Sequence, residues 1–342
     1  MKFPSIDIII PTYNSSRTLL RCLQSINFQD YPKSKLRIIV VDGGSKDKTL
    51  EIIRKYKIKL IRTDPKKQNV EYNKSVGIQA SKSNLLFMID HDNVLPSKKI
   101  IKKMVQPFID DEAIVGVETL HYHYDKRFSL LDRYIALFGV TDPVAYYLGK
   151  ADRMSYHTNT YDKRYKPIRV NGYFVVSFTP RNLPTIGANG FMVRREILVN
   201  NAKVGVREYF HIDVNADLVK KGFNKYAFVD GSISHIGGNT SILKFLERRG
   251  MFMKQFYLDK SKITAQKRRY KLFVKGDAWK LIYFILISIT LIVPLVDSIR
   301  GYLRVRDTAW FLHPVMCLSF VAIYGYAVIE YKMHSFFPRN AI

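Results

Sequence analysis

Cysteine and acid are what this chain has little of. Its 342 residues include two cysteines, Cys22 and Cys317, in very different segments and at no metal-ligand spacing. A disulfide framework is excluded on that count, and a reducing compartment is the simpler expectation. Acidic side chains number 29 against 55 basic ones, a formal net charge of +26. Such an excess suits anionic partners: nucleotides, nucleic acid or an acidic lipid surface. No nucleic-acid motif and no basic stretch interleaved with aromatics is present, so nucleic acid is not expected among the partners. The apolar run Ile6 to Ile10 is too short for a signal-peptide core and is interrupted by Asp7, so no export signal is expected. Hydrophobic residues at 47% and charged residues at 25% exclude wholesale disorder.

Charge is missing altogether from two stretches near the carboxy terminus. Leu281 to Val296 has none, and neither has Ala309 to Ile329, which includes Trp310 near its start. Each approaches the ~20 apolar residues that cross a bilayer as a helix. Pro294 and His313 lie near the ends, where a break or a polar group costs least. A pair of buried core helices is the other reading. Asp297 to Thr308 would then be the turn of a transmembrane hairpin. Lys260, Lys262, Lys267, Arg268, Arg269, Lys271 and Lys275 precede the first span, against Arg300, Arg304 and Arg306 in the turn. The denser basic cluster belongs on the cytoplasmic side. This predicts a multi-pass protein of the cell membrane with its amino-terminal domain in the cytoplasm. The abundance of Tyr and Phe suits a membrane interface.

The first hundred residues alternate between β-branched runs and helical spacing. Asp7 to Pro11, Arg37 to Val41, Leu60 to Arg62 and Leu85 to Ile89 read as strands. Ser16 to Phe28, with Leu19, Leu20, Leu23 and Ile26 on one face, reads as a helix. So do Asp47 to Tyr56, with Asp47 as its cap, and Asn73 to Ala80. Such alternation predicts an α/β fold whose mostly parallel sheet is flanked by helices. Ligands bind beyond the carboxyl ends of such strands, where Thr12-Tyr13-Asn14, Asp42-Gly43-Gly44 and Asp90-His91-Asp92 all fall.

Asp90 and Asp92 stand one residue apart at a strand end, a pairing that suits Mg²⁺ or Mn²⁺ shared with a diphosphate. Alone, the triplet is equally a solvated acidic turn. Together, residues 11–14 (PTYN), 41–47 (VDGGSKD) and 90–92 (DHD) resemble glycosyltransferase family 2, in order and spacing. The resemblance covers about residues 5 to 240 and implies the GT-A fold, a nucleotide-sugar donor and a divalent metal. It implies that Thr12, Tyr13, Asp42 and Asp90 bind the nucleotide sugar, with Asp42 accepting a hydrogen bond from the base. Gly43 stands where relatives often carry a second carboxylate. Residues 184–196 resemble the family's acceptor-side glycine segment, so that Gly187 and Gly190 would admit a sugar or diphosphate. Tyr209 to Asp213 lies where the family carries Glu-Asp, making Asp213 the expected catalytic base and Asp217 its alternative. His235 resembles a position reaching the metal, so the implied metal set is Asp90, Asp92 and His235. Of the arginines suited to clamping phosphate (Arg181, Arg194, Arg195, Arg248 and Arg249), Arg248 and Arg249 rank first. Lys74 reads as solvated rather than as a phosphate contact.

Ser241 to Tyr257 mixes apolar and basic residues and suits a helix in the headgroup layer; Phe128 to Leu148 is a second such segment. Both also suit a domain core. The expected organisation is a catalytic domain over 1–240 (nucleotide-sugar half 1–95, acceptor half 96–240). A basic interfacial segment at 241–277, two membrane helices over 278–330 and a tail at 331–342 would follow. The expected activity is metal-dependent, inverting transfer to a membrane-associated, lipid-linked acceptor. An inactive nucleotide-sugar sensor and a processive polysaccharide synthase are the rivals, the latter without a QxxRW motif.

Overall fold

The computed structural model describes residues 3–158, 165–237, 240–258, 268–270 and 278–336. Lys260, Lys262, Lys267, Lys271 and Lys275 of the basic cluster lie outside the described residues, as do residues 337–342 of the expected tail. Among the described residues a ten-stranded sheet runs in the order β3-β2-β1-β4-β9-β6-β10-β8-β7, with β5 on the edge of β10. The strands are β1 Ile6–Thr12, β2 Leu36–Asp42, β3 Ile58–Arg62, β4 Leu85–Met88, β5 Asn93–Val94, β6 Gly116–Tyr122, β7 Ile168–Val170, β8 Tyr173–Ser177, β9 Phe191–Arg194 and β10 Lys225–His235. The four expected strands are all present, and β1 to β4 are parallel. The sheet as a whole is mixed, because β9 runs antiparallel to both β4 and β6, and β8 to β10.

Helices cover both faces, so the central strands are apolar on both sides. Ile8 and Ile10 join one buried cluster while Ile9 joins the other, the period-two alternation of a strand. Asp7 interrupts that run without cost to the fold. Its carboxylate takes two bonds from Arg37 on the neighbouring strand, at 2.6 Å each, and others from Lys82 N and Ser83 N. The first helix, Leu19–Asn27, buries Leu19, Cys22, Leu23 and Ile26. Leu20, expected on that face, is 40% exposed, and Cys22 takes its place.

The carboxy-terminal segment supports one of the two expected spans directly and the other only as a bent pair of helices. Among the described residues one helix, Thr308–Met333, is by itself long and apolar enough to cross a membrane. The stretch expected as the other span is two helices, Ala278–Thr290 and Ile292–Arg304, bent by 78°. The physical cause lies in the sequence. Pro294 has no amide hydrogen, and its ring displaces the carbonyl of Thr290, so the break falls between them. Leu291 takes up the bend at φ 60°. The second of these helices then packs back, Gly301 against the indole of Trp310. Orienting a hairpin by its flanking arginines therefore has no support. Phe128 to Leu148 is core rather than interface: it forms the helices Leu130–Phe138 and Pro143–Tyr147, mostly buried, whose Tyr134 and Tyr147 hydroxyls bond to His313. Ser241 to Tyr257 keeps its amphipathic character, with Leu243 73% and Met251 56% exposed while Phe245 and Phe256 are buried.

A Cβ on residue 301 would lie 2.4 Å from the Trp310 ring. Gly301→Leu is expected to destabilise the carboxy-terminal bundle by about 1–3 kcal/mol, the usual cost of overpacking. A lower thermal midpoint for the full chain in detergent, with Gly301→Ala intermediate, would bear this out; an unchanged midpoint would count against the packing.

Candidate active site

The ends of β1 and β2 are tied to each other through Asp42. Its carboxylate accepts from the Thr12 hydroxyl (3.0 Å), the Ser45 hydroxyl (2.5 Å) and the amides of Gly44 (3.0 Å) and Ser45 (2.9 Å). Asp42 is completely buried and Thr12 nearly so. Four donors leave it no free acceptor for a base, which corrects its expected role: Asp42 and Thr12 shape the turn. Tyr13 does emerge, 43% exposed. Where relatives carry a second carboxylate, a Cβ on Gly43 would lie 2.5 Å from Cγ of Gln68. The Gln68 side chain fills the space that acid would need. Lys48, not Asp47, holds the cap position of the next helix; Asp47 stands one residue before it and accepts from Thr49 N at 3.0 Å. Burial opposes its charge, but bonds from Thr49 and Ser16 hold its pKa at about 2.

After β4 the chain turns at residues 90–92, closed by an Asn93 N to Asp90 O bond of 3.0 Å. The two-residue strand β5 then pairs with the end of β10, His235 opposite Asn93. That short ladder brings His235 Nε2 to 3.7 Å from Asp92 Oδ2. His91 points elsewhere, its Nδ1 2.7 Å from the Thr18 hydroxyl. Burial would raise the Asp92 carboxyl, but His235, then His91 and Arg248, hold it below the ordinary range. Asp90 makes a different partnership: Lys74 Nζ lies 2.8 Å from its Oδ1 and 3.2 Å from the carbonyl of Ala188. Lys74 is 1% exposed rather than solvated. Burial works against its charge, yet Asp90 and Glu71 raise its pKa above the usual lysine value.

Among the described residues no three His, Cys, Asp or Glu side chains converge on one point. Asp92 and His235 do face each other, and Nδ1 of His235 is buried without a hydrogen-bond partner. An acid and an imidazole suit Mn²⁺ or Mg²⁺ when a diphosphate and water complete the shell. The pair therefore fits a metal shared with a substrate, with Asp90 held back by Lys74.

These groups open into one cavity of about 760 Å³. Its polar end is lined by Lys74, Asp90, Asp92, Asn189, His235 and Arg248, and its other end by apolar side chains of the carboxy-terminal helices. Gly187 and Gly190 do not admit a ligand. Both are buried at positive φ, Gly187 against His211 Cβ and Gly190 against Ile233, while Thr185, Ala188 and Asn189 line the cavity. Arg153 supports that loop from beneath, bonding to Glu118 and to the carbonyl of Asn189. Arg249 is committed to Asp142 at 3.1 Å, Arg194 to the carbonyls of Phe108 and Ile114, and Arg195 to Ser81. Arg181 is exposed and does not line the cavity. Arg248, bonded to Thr240 at 3.2 Å, keeps its charge near Asp92.

Asp213 requires the largest correction. It is completely buried, takes bonds from Arg268 Nε (3.0 Å) and Arg269 N (2.5 Å), and is absent from the cavity wall. Asp217 is paired with Arg269 at 2.6 Å. The residues of this helix start that do line the cavity are Phe210, His211 and Ile212. His211 Nδ1 lies 2.8 Å from Glu71 Oε1, a pairing that sequence reasoning missed. The partners are 140 residues apart, and only a charged residue in the first turn after the Asn69 cap was there to be read.

A family model described as glycosyl transferase family 2 matches residues 7–199. Glycosyltransferase AglE of Haloferax volcanii is 34% identical over 93 residues, 26% of this chain and 31% of that protein. A Methanococcus voltae enzyme named dolichyl N-acetyl-alpha-D-glucosaminyl phosphate 3-beta-D-2,3-diacetamido-2,3-dideoxy-beta-D-glucuronosyltransferase is 31% identical over 110 residues, 30% of this chain and 33% of that one. The matches thus span about a third of these relatives' own lengths. The solved mannosyltransferase PcManGT from Pyrobaculum calidifontis, in complex with GDP-Man and Mn²⁺, superposes with a TM-score of 0.54 at 14% identity. That match covers 96% of this chain and 88% of that one, and it is a likeness of fold.

Lys74 offsets the charge of Asp90 and Glu71 in a buried place, so its removal strands both acids. Lys74→Met is expected to cost about 3 kcal/mol, the lower end for breaking a buried pair because Asp90 keeps some exposure. In urea unfolding, Lys74→Met/Asp90→Asn should recover part of that loss; equal losses in single and double variants would refute the coupling.

Proposed function

Because the chain belongs to glycosyl transferase family 2, and is thereby a glycosyltransferase of the GT-A fold, we propose that it moves a sugar from a nucleotide-sugar donor to a lipid-linked acceptor at a membrane. One observation carries this reading. The cavity that begins at Asp90, Asp92 and His235 continues between Phe252, Leu281, Phe284, Phe320, Val321 and Val328. A soluble acceptor has no use for so long an apolar wall, whereas a lipid chain with a polar head suits both ends at once. Exposed faces of the three carboxy-terminal helices support a membrane setting. Trp279, Leu286, Ile292, Leu303 and Ile329 are each more than half exposed, apolar surface of the kind that meets a membrane or a partner. Helix Thr308–Met333 is the candidate span. The dolichyl acceptor in the name of the Methanococcus voltae relative lends further support.

Within the cavity Asp92 and His235 would hold a divalent ion, which neutralises the charge that develops on a departing nucleotide diphosphate. Arg248 adds a cation beside the same phosphates. Asp90 is oriented by Lys74 toward the donor sugar or ribose, and the exposed ring of Tyr13 offers a face for the base. Attack by the acceptor from the side opposite the diphosphate inverts the anomeric carbon, as the family resemblance implies. The catalytic domain would then lie against the surface with the helix Ile242–Met253 in the headgroup layer.

Two measurements test the reading. Transfer from a panel of labelled UDP- and GDP-sugars into native-host membranes should be abolished by EDTA, restored by Mn²⁺ or Mg²⁺, and lowered about 10²–10³-fold by Asp92→Ala, the scale for losing one transition-state charge stabiliser. Full activity in excess EDTA would refute the metal. Label should enter the organic-extractable fraction, with an α-linked donor giving a β-linked product by proton coupling constants. Water-soluble product alone would refute the lipid acceptor, and an α-linked product would refute inversion.

A further inference from the structure

Inverting transfer to a hydroxyl needs a group that removes the proton as the oxygen attacks, and Asp213 cannot reach the cavity to do so. His211 can. It is the first residue of the helix His211–Lys220 and lies in the cavity wall between Phe210 and Ile212. Both oxygens of Glu71 serve it: Oε1 lies 2.8 Å from Nδ1, and Oε2 accepts from the His211 amide at 3.1 Å. Glu71 is 3% exposed. Burial would raise its carboxyl, but His211 first and then Lys74 hold it below the ordinary glutamate range. An ionised carboxylate on Nδ1 makes that nitrogen the donor and leaves Nε2 with the free lone pair. The ring is further fixed by stacking on Phe210, centroids 4.6 Å apart. Phe210 is in turn covered by the Arg268 guanidinium at 3.7 Å. Gly187, at φ 108°, gives the ring's backbone room: a Cβ there would lie 3.2 Å from His211 Cβ. The charged groups around the imidazole are therefore Glu71, Lys74 behind it, and Arg268 beyond Phe210.

We propose that His211, oriented by Glu71, is the general base of the transfer, and that the acceptor nucleophile is consequently a hydroxyl rather than a phosphate oxygen. The proposal rests on the glycosyl-transfer reading above. The acceptor O–H proton passes to Nε2 as its oxygen bonds to the anomeric carbon. The bond from that carbon to the diphosphate oxygen breaks, and its electron pair leaves with the nucleotide. A phosphate acceptor is already ionised at neutral pH and would leave the dyad without a task. On a lipid carrier whose own alcohol is already phosphorylated, the hydroxyl belongs to a sugar already in place.

The test uses the full chain in detergent, with native-host lipid extract as acceptor and the UDP- and GDP-sugar panel as donors. His211→Ala is expected to lower kcat by about 10²–10⁴-fold, the usual weight of a general base, while Mn²⁺-dependent donor binding stays within twofold. Added imidazole should restore part of the rate to His211→Ala and none to Asp92→Ala. Glu71→Gln should cost on the order of ten- to a hundredfold, as loss of an orienting partner does. Mild acid should release the label as a disaccharide or larger. A His211→Ala rate near wild type, a loss of donor binding equal to the loss of rate, or release of a labelled monosaccharide would each overturn the dyad. A wild-type protein that neither binds nor turns over any donor would instead refute the glycosyl-transfer reading.

Discussion

One buried ammonium holds the site together. Lys74 stands 2.8 Å from Asp90 and, on its own helix, three residues from Glu71, so a single cation serves an acid on each side. Taking any of these charges out of water costs several kcal/mol, and only their mutual proximity offsets it. The consequence is positional. Asp90 is fixed at the polar end of the cavity, Glu71 is fixed under His211, and the carbonyl of Ala188 binds the loop that carries Asn189 to the same nitrogen. Three segments distant in sequence are thereby kept in one register.

The rest of the cavity is assembled by the sheet edge and by the carboxy-terminal helices. A two-residue ladder between β5 and β10, extended by an Ile236 N to Asp92 O bond of 2.9 Å, brings His235 to Asp92. The helices Ala278–Thr290 and Leu312–Phe336 then roof the apolar half, anchored to the α/β body through Tyr134, Tyr147 and His313. Such a roof buries one face of each helix and leaves the other apolar, an arrangement that water penalises and a bilayer does not. The sheet edge thus builds the polar half of the cavity and these helices its apolar half.

Legibility followed the range of the interaction. Asp47 binds the first amide of the helix it was read as capping, because such a bond is decided within two residues, although Lys48 takes the cap position itself. The strand ends carrying residues 12–14, 42–44 and 90–92 converge as read, because parallel strands separated by helices leave little choice. Asp42 and Thr12 were misassigned for the opposite reason: two turns 30 residues apart consume each other's polar groups, and neither turn alone reveals it. Asp213 and His211 share one helix start, and spacing could not tell which faces inward. Arg268 decides the matter by claiming Asp213. The broken span was partly legible, since Pro294 announces a helix break, but the packing of Gly301 on Trp310 beyond the break was not.

By itself, then, the sequence determined the alternation that builds the sheet, the acids at its edge, the basic excess and the apolar carboxy terminus. Each is a local pattern of hydrophobicity or charge, and local patterns survive without knowledge of the fold. Only the tertiary structure decided which acids are spent inside the protein and which face the cavity. It paired Glu71 with His211 and Asp92 with His235, and it joined a polar site to an apolar chamber. Those outcomes depend on which side chains arrive first at each buried donor, and in a close-packed interior each arrival excludes another.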